Sequence, residues 1–116
     1  NMKKYIIIGK NSQETAASML NKPQNRREIV EPLVKSFNAE FNEFLYLNSP
    51  DFDFMCVISG QNDEDIAAAC NLIYASGSFS TINWFRAFEA SEWKSVYEIA
   101  SNKMANYVSA KQASQE

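Results

Sequence analysis

The chain has 116 residues, a formal charge of −3 at pH 7 and no histidine. The missing imidazole excludes a histidine general base, a Ser-His or Cys-His nucleophile pair, a haem on a proximal His and a His-bearing zinc site. Eleven Lys and Arg against fourteen Asp and Glu also argue against nucleic acid as a partner, because that binding rests on basic surface that releases counterions.

Lys4-Tyr5-Ile6-Ile7-Ile8-Gly9 is a β-branched apolar run closed by Gly, and it predicts a strand buried on both faces. Asn11, with Glu14 three residues on, is placed to cap a short helix that ends near Leu20 and Asn21, before Pro23. Asn25 and Glu28 repeat that spacing ahead of Ile29, Val30, Leu33, Val34 and Phe37, which share one face of a second helix. Pro32 inside it predicts a kink or a later start.

Residues 39–47 suit a strand whose first half is exposed. Asn48-Ser49-Pro50-Asp51 is a turn signal, and residues 52–59 resume as strand, so the two should pair as an antiparallel hairpin. Asn62 followed by Asp63, Glu64 and Asp65 starts a helix that stops near Gly77, with the acids complementing the helix dipole rather than holding a metal. Residues 79–88 predict a fourth strand, with Ile82, Trp84, Arg86 and Phe88 on one side. Ser91 is placed to cap a final helix whose stripe runs from Trp93 through Val96, Tyr97, Ala100 and Met104 to Val108.

With no repeat and no low-complexity linker, residues 1–116 read as one domain, with a core over 4–89 and a C-terminal helix and tail over 90–116. Setting the short first helix aside, the order is the split βαβ of an α+β, ferredoxin-like βαββαβ sheet with an added C-terminal helix. In that arrangement the two main helices cover one face. The first and third strands are nevertheless apolar on both sides, with Ile6 and Ile8 opposite Tyr5 and Ile7, and Met55 and Val57 opposite Phe54, Cys56 and Ile58. Leaving several such side chains wet would cost several kcal/mol at about 25 cal/mol per Å². The second face is therefore covered by the C-terminal helix, by a second copy packed sheet against sheet, or by an apolar ligand.

Cys56 and Cys70 sit in apolar stretches and read as buried free thiols in a reducing, cytoplasmic setting. No apolar run is long enough to span a bilayer, and the N-terminus has no signal-peptide core. Nothing in the sequence calls for a cofactor or a metal, and neither nucleic acid nor membrane is an expected partner.

The opening Lys4-Tyr5-Ile6-Ile7-Ile8-Gly9, the stretch from Ser49 to Ile58, the helix start from Asn62 to Ala67 and the strand end Trp84-Phe85-Arg86-Ala87-Phe88 together resemble the GYD domain family. The resemblance covers about residues 4–89. That family is named for a Gly, Tyr, Asp pattern; here Pro50 stands at the Gly position and Phe52 at the Tyr position, and Asp53 is retained. The resemblance implies a ferredoxin-like domain that assembles as a dimeric α/β barrel, and it implies no particular activity.

Asp53, between Phe52 and Phe54, is either a desolvated carboxylate available for acid-base work or a cap of the turn after Pro50. Arg86 is the one charge in its strand, and it either pairs with a carboxylate, Asp53 or Glu43, or clamps a ligand anion. Tyr5, Tyr46, Trp84 and Met55 line either an apolar pocket or a packed core. Arg26-Arg27 reads as solvated surface. The leading expectation is a non-catalytic homodimeric module that binds a small apolar or anionic molecule through Asp53, Arg86, Trp84, Tyr46 and Tyr5. The alternative is a cofactor-free oxygenase or isomerase, with Asp53 as base, Arg86 stabilising an oxyanion and Trp84 stacking on the substrate ring. A third expectation is a subunit that regulates a larger partner.

Overall fold

The computed structural model describes residues 2–115. β1 (Lys3–Asn11) alternates buried Tyr5, Ile7 and Gly9 with half-buried Lys4, Ile6 and Ile8. Ser12 follows and caps α1 (Gln13–Asn21), its hydroxyl accepting from the Thr15 amide at 3.1 Å. The cap thus stands one residue beyond Asn11, which remains in the strand. Asn25 caps α2 (Arg26–Ser36) through the Glu28 amide, as its spacing predicts. The helix continues through Pro32 with no delayed start. Glu28, whose carbonyl loses its donor there, and Pro32 are both exposed, so the orphan acceptor is open to solvent.

The helix ends in a Schellman motif: Asn38 adopts φ 56 and donates to the Lys35 carbonyl, while the Ala39 amide donates to Val34. β2 (Glu40–Tyr46) and β3 (Phe54–Gly60) pair as the expected antiparallel hairpin. A bulge between Phe41 and Glu43 resets the alternation of β2, so Phe41 and Phe44 face the helices together with Tyr46. A regular strand would send Phe41 and Phe44 to opposite faces. Asn62 caps α3 (Asp63–Ala75) at 2.9 Å from the Asp65 amide, and Gly77 takes φ +79 just past its end. β4 (Phe79–Ala87) completes one antiparallel sheet in the order β2-β3-β1-β4.

That order joins two βαβ halves through a central β1–β3 pair. The core lies between sheet and helices and is built on Tyr5, Ile7, Phe54, Cys56, Ile58 and Ile66. α2 lies over β2 and α3 over β3 and β4. On the opposite face Ile6, Ile8, Met55 and Val57 stay half-buried, flanked by exposed Leu45 and Phe85.

The C-terminal segment differs from expectation. α4 (Ala90–Ser101) is capped by Glu89 rather than Ser91, with the Glu92 carboxylate accepting from the Glu89 amide at 2.9 Å. The helix stops at Ser101, and a 3-10 turn (Met104–Asn106) and a short α5 (Ala110–Ala113) follow. Ser101 and Asn102 are poor helix formers, and a short helix needs a packed face to continue. α4 lies along no strand. The radius of gyration, 19.1 Å, and the 66 Å long axis reflect this projecting arm; a compact domain of this size has about 13 Å.

Candidate functional site

A cavity of about 300 Å³ lies between the sheet and the helices. Ile7, Phe54, Cys56 and Phe44 form its floor, Val30 and Leu33 of α2 one wall, and Ala69 and Ile73 of α3 the other. It exists because α2 and α3 sit over opposite halves of the sheet. Its polar atoms gather at one end, where Asn11, Thr15, Arg26, Ser76 and Ser78 line it.

The thiol of Cys56 on the floor is pushed up to about 12 by burial and then by Cys70 nearby. A thiol held that high is protonated at neutral pH and is no nucleophile. Burial likewise raises Tyr46 above its ordinary value.

The residues singled out from the sequence do not converge. Tyr46 lines the cavity; Tyr5, Asp53, Trp84 and Arg86 do not. Tyr5, Trp84 and Arg86 form a cluster of their own: the rings of Tyr5 and Trp84 meet edge to face at 6.0 Å, and the guanidinium lies 5.9 Å from the Tyr5 ring centre and 4.3 Å from that of Phe88. The carboxylate that Arg86 meets is Glu92 of α4, at 3.2 Å, rather than Asp53 or Glu43. Register explains the difference. Arg86 pairs with Tyr5 on the helix face, whereas Glu43 stands opposite Val57 on the other face. Asp53 bonds to Gly9, four residues along β1 from Tyr5 and so about 13 Å away. Its carboxylate accepts from the Asn11 amide at 2.8 Å, its own amide donates to Gly9 and its carbonyl accepts from Leu47, so it locks the hairpin mouth onto β1. Met55 points to the open face, away from the cavity.

Arg26, expected on solvated surface, lines the cavity. A signal was present, since two arginines open α2 at the end of a helix where positive charge is disfavoured. Among the described residues no group of His, Cys, Asp and Glu is placed to hold a metal ion, and no helix is long and apolar enough to cross a membrane.

Compared with known families, the chain matches the GYD domain over residues 5–97. It belongs to the GYD domain family. The match takes in β1 from Tyr5, the other three strands and the first turns of α4, so the cavity of this GYD domain lies wholly within the family region. The rest of the arm, from Glu98 onward, extends beyond it. A search among curated proteins finds no match.

Proposed function

We propose that this GYD domain is a homodimeric binding module that holds a small, largely apolar molecule between its sheet and helices in a reducing, cytoplasmic setting. The cavity carries this reading. About 300 Å³ lined mainly by aliphatic and aromatic side chains, with polar atoms at one end, is the usual form of a small-molecule site. Two buried free thiols support the reducing compartment. The enzymatic alternative needs Asp53, Arg86 and Trp84 around one cavity, and this cavity is lined by none of them.

The dimer, a ferredoxin-like dimeric α/β barrel, rests on the open sheet face. A four-stranded face, at about 4.8 Å between strands and 3.3 Å per residue, has a footprint on the order of 450 Å², against about 800 Å² per partner in stable complexes. The arm adds further apolar surface, since Tyr97, Ile99, Met104 and Tyr107 are each more than 60% exposed.

Size-exclusion chromatography with light scattering tests the assembly, with twice the 13.2 kDa chain mass expected; a monomer at micromolar concentration would rule the dimer out. A thermal-shift screen of small apolar compounds tests the site. A ligand bound only by the folded state raises the melting temperature, and a screen with no hit would remove the binding reading.

A further inference from the structure

The cavity is not closed by apolar side chains at its polar end. Beside it lies a second hollow of about 200 Å³, and Thr15, Met19, Arg26, Ser76 and Ser78 line both. The two share that wall, with an apolar chamber on one side, a hydroxyl-bearing vestibule on the other and Arg26 between them.

Arg26 has no carboxylate partner among the described residues; its guanidinium donates only to the neutral side chain of Gln24, at 2.9 Å. Its neighbour Arg27 is engaged differently, donating to the Phe41 carbonyl at 3.3 Å with its guanidinium 6.0 Å from the Phe41 ring centre. Glu14 also faces the vestibule, beyond ion-pair distance of Arg26. Arg26, half-buried beside an apolar chamber, offers a fork of donors that matches a carboxylate.

We infer that the ligand of this cavity is amphipathic: a single aliphatic or aryl-aliphatic body in the chamber, with a carboxylate held at the vestibule by Arg26. This rests on the binding reading above and adds the head group and the residue that selects it. The size of the body follows from volume. About 150 Å³ holds one benzene ring, so about 300 Å³ holds roughly ten to twelve carbons.

Isothermal titration of the full chain with decanoate and with 1-decanol, below their aggregation concentrations, tests the inference. Decanoate should bind about tenfold more tightly than decanol, and Arg26→Gln should remove that preference by weakening decanoate about tenfold. Decanol binding as tightly as decanoate, or Arg26→Gln leaving decanoate affinity intact, overturns the carboxylate assignment but not the binding reading. Failure of both probes to bind overturns the two together.

Discussion

The hydroxyl of Tyr5 donates to Oδ1 of Asp63 at 2.6 Å, joining the central strand to the first residue of α3. The Tyr5 ring is 0% exposed, so this bond is the one polar outlet of a fully buried side chain. Tyr5→Phe keeps the ring and removes a charge-assisted bond. The expected loss is about 1.5 kcal/mol, read as a lower midpoint in urea with unchanged slope. Asp63→Asn, which retains an acceptor, should cost less. Equal midpoints for Tyr5→Phe and the parent would show that the bond contributes nothing.

Stability should decline at alkaline pH. Burial raises Cys56 from 9.0 to about 12 and Cys70 from 9.0 to about 11, while burial and then Asp63 raise Tyr5 from 10.0 to about 12. Between pH 9 and 12 the folded state therefore keeps protons that the unfolded chain has lost, and unfolding becomes easier as pH rises. The contribution is fully present below pH 9 and is lost progressively above it. Urea melts from pH 7 to 10.5 should show the fall beginning near pH 9; a flat profile would contradict these shifts.

Gly9→Ala should destabilise through crowding. A Cβ there would lie 2.7 Å from Phe54 Cζ and 2.7 Å from the Thr81 backbone oxygen, and neither the packed ring nor the strand backbone moves freely. The expected cost is about 1–3 kcal/mol. Gly60→Ala is the control, because its Cβ would meet the terminal Cδ1 of Ile66 at 3.0 Å, a side-chain end that can turn aside. Calorimetry should place the Gly60→Ala melting temperature above that of Gly9→Ala.

Asp53→Ala removes the acceptor of the Asn11 amide and should cost about 1–2 kcal/mol of stability. Because Asp53 does not line the cavity, decanoate affinity measured well below the melting temperature should be unchanged. A selective loss of binding in a stably folded Asp53→Ala would move the site to the hairpin mouth.

Phe85→Glu places a charge at an exposed position of the open sheet face. If that face joins two copies, light scattering should report a monomer, since an unpaired charge buried in an interface costs several kcal/mol. The monomer should retain the far-ultraviolet circular dichroism of the parent, because Phe85 is half exposed and lies outside the core. A dimer of unchanged mass would place the interface elsewhere.

Local chemistry carried far in this chain. The Asn25 and Asn62 caps, the β2–β3 hairpin and the apolar character of both sides of β1 and β3 each depend on residues within one element or its neighbour; burial itself is complete on the helix face alone. The bulge of β2 was not legible, because Phe41 and Phe44 fit either face until β3 imposes its register. Pro32 does not delay the start of α2, because packing of the helix over β2 outweighs one lost hydrogen bond. Ser91 is the stronger cap by residue type, yet Glu89 caps α4 because the box closed by Glu92 decides between them.

The candidate site divides along the same line. Tyr46 and Cys56 enter the cavity through strand alternation, which the sequence displays. Arg26 enters it because α1, α2 and the end of α3 converge at one corner, a meeting of residues 15, 26 and 76 that no local pattern encodes. Asp53 and Arg86 have complementary charges, yet register sets them at different levels of β1.

By itself, the sequence determined that this chain offers no imidazole, where its four strands and first three helices run, and that its sheet has two apolar faces. Those follow from residue type and periodicity, which act over a few residues. Only the tertiary structure decided where the cavity lies, which charge stands at its mouth and that the C-terminal arm leaves the open face bare. These depend on how separate elements pack, and the spacing of two helices across a sheet is fixed by side chains far apart in the chain.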